Sequence, residues 1–316
     1  MLLSSIIDLG VKNGDAVNEK RSVKAIDIDP DLLRRASAAA LHAGVEAWIH
    51  MDAEFSGDID RLMTTLVDKG PYAYTIVPQV SPEGVVRSPV MTTFEDIRQC
   101  YKFVRGRSDL LRVEPLVEIK GSFYVFHNNL SYGRIRETGY EKPDGTPTLA
   151  IFPVSEGKGI TGELVWAKVP RAMLGAGPAP AEVPLEGNAA RRQLLLLHED
   201  YLKALRANDA DGILATMNDG IQGNVRDYVD DTGTLIGLNG KNAYRVHLKK
   251  FFERYEVLKA DHLCRIAEDW YLFAEIRLEL RERKGGASLA WNCAEIFVPA
   301  KDNRFIVQTG HGTDPG

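Results

Sequence analysis

The chain writes one pattern twice, and that limits its fold more than any other feature. FYVFHNN at 123 to 129 is answered by WYLFAEI at 270 to 276, an offset of 147 residues. FSGDIDRLMTTL at 55 to 66 is answered by RANDADGILATM at 206 to 217, an offset of 151, and TLA at 148 by SLA at 288, an offset of 140. Offsets that drift but stay close describe two copies of one fold with different loop lengths. A chain of 316 residues has room for two such units, each with its own core.

Each copy opens on a long amphipathic helix. In the first, Leu33, Ala36, Ala40, Ala43, Ala47 and Met51 recur at helical spacing; in the second, Leu194, Leu197, Tyr201, Ala204 and Leu205 do so. A short helix follows, with Asp58 or Asp209 placed to cap its N-terminus. A third helix is expected over 94–106 and again over 241–255, and after it come alternating strands rich in β-branched and aromatic residues. Helices first and a curved antiparallel sheet second is an α+β plan in which the sheet wraps the long helix and leaves a cone with an open mouth. Between the copies, GAGPAPAEVP at 175 to 184 continues neither helix nor strand. The expected division is an N-terminal arm over 1–29, a first cone over 30–172, a linker over 173–187 and a second cone over 188–316.

The order of helix, GDxDxL turn-helix, third helix and curved sheet resembles the nuclear-transport-factor-two-like superfamily and, within it, the SnoaL-like branch. The likeness rests on Gly57, Asp58, Asp60 and Leu62 in the first copy and on Asn208, Asp209, Asp211 and Ile213 in the second, extended by Tyr124, Phe126, Tyr271 and Phe273. It implies two tandem cystatin-like cones, and it spans polyketide cyclases, dehydratases, isomerases, epoxide hydrolases, cofactor-free lyases of lignin-derived diaryl compounds, and adaptors without catalysis.

A net charge of −5 at neutral pH requests neither nucleic acid nor a membrane, and three scattered cysteines suggest neither a disulfide framework nor a sulfur-ligated metal, as expected of a cytoplasmic protein. GKGITG at 157 to 162 matches a dinucleotide fingerprint, but it lies between two strand-like runs with no helix after it, so a hairpin turn is expected there. Among the seven histidines no HxH or HExxH pair occurs, and no GxSxG elbow is present. The expectation is therefore no cofactor, no metal, and general acid–base chemistry on a small hydrophobic or aromatic substrate.

Alternation sets Phe123, Val125, His127 and Asn129 on one face of the first aromatic strand and Tyr124, Phe126 and Asn128 on the other. Periodicity alone leaves open which face lines the pocket. With the His127 face inward, the first cone has a base that the second, with Ala274, lacks. On that arrangement the candidate catalytic residues are His127 as base, Tyr101 or Tyr124 as hydrogen-bond donor and Arg98 as anion stabiliser; the candidate substrate contacts are Phe123, Asn129, Tyr228, Arg226, Trp291 and His247. Glu118, Lys120, Glu295 and His311 also fall in pocket-prone places. The expected activity is a lyase of dehydratase or carbon–carbon type. A polyketide cyclase or isomerase, a ligand-binding or interaction protein without catalysis, and a homo-oligomer built through exposed sheet faces stay open beside it.

Overall fold

The structure is a computed structural model that describes residues 30–76, 79–155, 158–175, 185–230 and 233–315. The arm at 1–29, the linker centre at 176–184, Gly157 and the Leu33 side chain lie outside the described residues. The first half holds α1 (Pro30–Ser56), α2 (Ile59–Met63), β1 (Tyr74–Thr75), β2 (Gln79–Val80), β3 (Val86–Arg87), β4 (Val90–Met91), α3 (Phe94–Arg105), β5 (Ser108–Lys120), β6 (Tyr124–Ile135), β7 (Thr146–Ser155), β8 (Gly159–Ile160) and β9 (Leu164–Ala167). The second holds α4 (Gly187–Arg206), α5 (Ala210–Ala215), β10 (Met217–Arg226), β11 (Leu235–Asn239), α6 (Gly240–Arg254), β12 (Tyr255–Ala267), β13 (Leu272–Glu282), β14 (Ser288–Pro299) and β15 (Phe305–Gly312).

The two sheets have matching strand orders, β4-β1-β9-β7-β6-β5 and β11-β10-β15-β14-β13-β12. The protein is thus α+β, two tandem cones, each a curved sheet around a long helix with two shorter helices. The expectation of purely antiparallel sheets is corrected in one place per cone: β1 runs parallel to β9, and β10 to β15, because the strand that follows the short helix enters beside the last strand of its copy. Curvature comes from β-bulges, which bend and twist a ladder by inserting an unpaired residue. The β5–β6 register shifts between Leu110 and Arg112 and between Pro115 and Val117; the β12–β13 register shifts at Val257/Lys259 and His262/Cys264, each 147 residues on. Pro115, which has no N–H to donate, sits at one of these breaks.

Ala43, Ala47 and Met51 press α1 into the first sheet against Val125, Ala150 and Phe152, and small residues allow the close approach. The stripe expected on α1 does not continue towards its start, for Ala36 is exposed and Ala40 half-buried. In the second cone Leu194, Leu197, Tyr201 and Leu205 of α4 pack on Leu272, Ala274 and Ile276. On either side of Gly157, β7 and β8 pair antiparallel, Val154 with Ile160 and Ser155 with Gly159, and the next described element is the strand β9 rather than a helix. The outer faces of the two sheets meet in a shared core where Phe126 stacks on Phe273 with ring centroids 4.1 Å apart. Among the described residues no helix is long and apolar enough to cross a membrane.

Candidate functional site

The sheet contact decides the face left open by alternation. Phe126 and Tyr124 point away from α1 into the contact between the sheets, so Val125, His127 and Asn129 point into the first cone. That cone keeps a cavity of about 480 Å³ walled by Met51, Ile76, Val113, Leu149, Phe152 and Val165. Glu54, Tyr74, Tyr101, Arg105 and Glu163 line it as a polar cluster, with His50 buried behind Tyr101.

Helix geometry explains half of the cluster. His50 and Glu54 lie one turn apart on the face of α1 that also carries Ala47 and Met51, so burying that apolar stripe buries His50 fully and leaves Glu54 half-buried. Glu163 comes from the residue before β9, and Tyr101 and Arg105, again one turn apart, from α3.

A directed hydrogen-bond chain runs through the cluster. Thr65 Oγ1 donates to the Leu62 carbonyl at 2.6 Å and so accepts from His50 Nδ1, also at 2.6 Å. That assigns the proton to Nδ1 and leaves Nε2 a bare lone pair. The Tyr101 hydroxyl lies 3.1 Å from His50 Nε2 and donates to it, and Glu163 Oε2 lies 3.4 Å from the same hydroxyl. Burial, reinforced by the Arg105 charge, brings the His50 pKa down to about 3, so its ring stays neutral. Burial also raises both carboxyls. Glu54 is pushed up to about 7, with the guanidinium of Arg105, 3.9 Å away, acting in the opposite direction; Glu163 is raised well above the usual value, by burial and then by the Glu54 charge. Burial thus favours the neutral form of both carboxyls, while the Arg105 charge favours ionisation of each. Glu163 stands at the far end of a chain of polar contacts that runs through Tyr101 and His50 to Thr65.

The residues singled out from the sequence separate into three groups. Tyr101 and Asn129 lie on the first cavity. Arg226, Tyr228, Trp291 and His247 lie together on the cavity of the second cone, so they cannot serve a substrate in the first. The rest are away from both cavities. His127 is fully buried beyond the lining, with Nε2 2.9 Å from Glu118 and its ring against Trp48 and Phe152, which corrects its assignment as the base. Tyr124 donates to Glu275 at 2.9 Å across the sheet contact, Phe123 packs on its edge, and Arg98 pairs with Asp60 at the surface.

His50, Glu54, Glu163, Tyr74 and Arg105 escaped the sequence reading. The legible signal was the i, i+4 pair His50 and Glu54 on the buried face of α1; the Glu163 partner is set by sheet register. His50 Nε2 and carboxylate oxygens of Glu54 and Glu163 lie within 4.8 Å of one another, the one group among the described residues placed to hold a metal ion. Each already has a protein partner in Tyr101 or Arg105. A wider cleft of about 690 Å³ between residues 79–90 and 220–240 has Arg87 as its one ionisable lining residue and so offers no acid–base pair.

No family model matches the chain, and no curated protein matches it. Solved structures that do match include the epoxide hydrolase/cyclase-like enzyme SalBIII of pyran ring formation in polyether salinomycin, at 13% identity over 40% of this chain and 95% of that one, with a TM-score of 0.34. A putative polyketide cyclase from Xanthomonas campestris pv. campestris matches at 16% identity over 39% of this chain and 91% of its own, with a TM-score of 0.31. An NTF2-like protein of unknown function from Burkholderia pseudomallei matches at 11% over 38% and 89%, with a TM-score of 0.33. These neighbours are of the kind the sequence motifs resemble. At such scores they carry no argument about chemistry, and the fold stands on the strand order and register above.

Proposed function

We propose that the first cone is the active site of an enzyme that moves protons on a hydrophobic small molecule, with Glu54 as base and Glu163 as acid. The observation that supports it is the pair of carboxyls, Glu163 buried and Glu54 half-buried and both raised by burial, at the polar end of an apolar cavity of about 480 Å³. Two carboxyls driven apart in pKa by their surroundings are the usual signature of an acid–base division of labour. The Glu54 carboxylate takes a proton from a carbon next to an activating group. The Glu163 carboxyl, itself on the cavity wall, gives one to the departing hydroxyl or to the developing oxyanion. The proton then returns from Glu54 to Glu163, and the site is restored.

An elimination of the dehydratase or carbon–carbon lyase type uses both roles in one turnover, and aromatic substrates up to diaryl size suit the walls of Met51, Phe152 and Leu149. The cyclase and isomerase readings use the same two residues. Incubation with a panel of aromatic alcohols, aldols and steroids, read by mass spectrometry, separates the classes: elimination lowers the product mass, whereas isomerisation or cyclisation leaves it unchanged. E54Q is expected to reduce turnover by roughly a hundredfold or more with the fold intact. The wild-type kcat/KM should rise with pH through about 7 as Glu54 ionises. Full activity in E54Q and E163Q, or binding across the panel with no product, defeats the reading.

A further inference from the structure

Strand register sets the two cones residue against residue. In the first, His127 pairs with Ala150 and Ala150 with Val165; in the second, Ala274 pairs with Glu295 and Glu295 with Gly310. Counting along the last strands puts Gln308 where the first cone has Glu163, and the helix offset puts Tyr201 where it has His50. Tyr244 donates to Gln308 Oε1 at 3.3 Å, and so takes the place of Tyr101. The acid–base chain of the first cone is thus rebuilt in the second with a neutral amide at its centre. Glu295 is new, standing where the first cone has Ala150.

Gln308 Nε2 lies 3.1 Å from both the Tyr201 hydroxyl and Glu295 Oε1. Glu295 Oε2, Trp291 Nε1, Arg226 Nε and both ring nitrogens of His311 meet no hydrogen-bond partner among the described residues, although the four residues are only 8%, 2%, 8% and 8% exposed. They line one cavity of about 90 Å³. Orphaned buried polar groups call for a ligand or ordered water, and most of the remaining wall is apolar.

The chemistry of the orphans selects the occupant. Burial raises Glu295 to about 7, and since Oε1 accepts from Gln308, its proton sits on Oε2. Trp291 Nε1–H and Arg226 Nε–H are donors by nature. Arg226 also holds the Gly312 carbonyl at 3.1 Å and pairs with Asp314 at the surface, which leaves Nε for the cavity. The other titratable groups facing Glu295 are uncharged: Tyr201 on α4, Tyr244 and His247 on α6, Tyr228 after β10, Cys293 on β14 and His311 on β15. Burial lowers His247 and brings His311 to about 3. The cavity therefore presents donors at Glu295, Trp291 and Arg226, one N–H and one lone pair of the neutral His311 ring, and an apolar wall, with the Arg226 charge paired at its outer end to Asp314.

We propose that the second cone is a binding site for a short-chain carboxylate, whose carboxylate accepts from Glu295, Trp291 and Arg226 and whose alkyl tail lies on Leu248, Phe251 and Leu278. It is a site separate from the first cone, with Glu295 as its selective element. The probe is propionate, titrated into the full chain by calorimetry and by the fluorescence of Trp291, with propionamide and 1-propanol as controls.

Propionate is expected to bind, in the roughly millimolar range for so few atoms, and the controls roughly tenfold more weakly. Raising the pH from about 6 to about 8.5 should weaken propionate binding by roughly tenfold or more, because the Glu295 donor is lost. E295Q keeps a donor and should bind without that pH dependence, R226Q should weaken binding at least roughly tenfold, and E54Q in the first cone should leave it unchanged. No binding at tens of millimolar, equal binding of the alcohol, or an affinity indifferent to pH and to E295Q alike overturns the proposal. Should R226Q fail to fold, the pH comparison and E295Q still decide. Because E54Q separates the cones, failure here and failure of the acid–base reading are distinguishable.

Discussion

Glu295 binds its proton more tightly in the folded chain than in the unfolded one, where its carboxyl has the ordinary value of 4.5 rather than about 7. Between those values the folded state holds an extra proton, so its contribution to stability falls as pH rises and is fully lost above about 7. E295Q removes that loss. Near pH 8 the variant should be more stable than the wild type by roughly 2–3 kcal/mol, and the two should converge near pH 4, as read by urea unfolding. An equal gap at both pH values would contradict the burial argument. The same residue scale marks how far a sequence can be read for a site. Tyr101 and Asn129 were legible because helix and strand periodicity tell which side chains share a face, and the sheet contact then set the Asn129 face inward. His127 shares the inward face with Asn129 but lies beyond the cavity lining, since alternation gives a direction and not a depth. Gly223 shows how close the neighbours are: a Cβ there would sit 2.0 Å from the Tyr244 hydroxyl, so glycine leaves the room that Tyr244 needs to reach Gln308.

Elements in the two copies repeat through local chemistry. Asp58 accepts from the N–H groups of Asp60 and Arg61 at the start of α2, and Asp209 accepts from that of Gly212 at 2.9 Å at the start of α5. Both caps were readable, because a cap depends on residues two or three positions away. D209A should lower stability by about 1 kcal/mol, seen as a lower urea midpoint, with little change in the cavity of the second cone. The parallel pairs β1–β9 and β10–β15 were not readable, since a strand's polarity in a sheet depends on a partner many residues distant. The bulges belong to the same class: apart from Pro115, nothing in the strand sequences announces where a ladder slips, yet the slips recur at one offset and bend both sheets alike.

At the scale of the whole molecule, the sheets are apolar on both faces because one face serves a cone and the other serves the second copy. Phe126 on Phe273, Tyr124 on Glu275, and Asn128 with Tyr271 at 3.1 Å tie the halves through the middle of both sheets. F273A empties the centre of this shared core and should lower stability by roughly 3 kcal/mol or more, with the urea transition of the whole chain moving earlier. An unchanged midpoint would show that the contact between the halves contributes little. The halves also differ in their interiors. The first is hollow at about 480 Å³ and holds an ionisable pair, while the second is largely filled by its own side chains and retains about 90 Å³ around one carboxyl. By itself the sequence determined the duplication, the order of helices and strands, the caps and which strand residues share a face, because these are carried by spacings of two to four residues and by an offset visible in one line of text. Only the tertiary structure decided that Glu54 meets Glu163, that His50 and Tyr101 join them, and that Glu295 stands in for Ala150. Those meetings depend on register between distant strands and on how far burial strips water from a charge, and neither quantity is local.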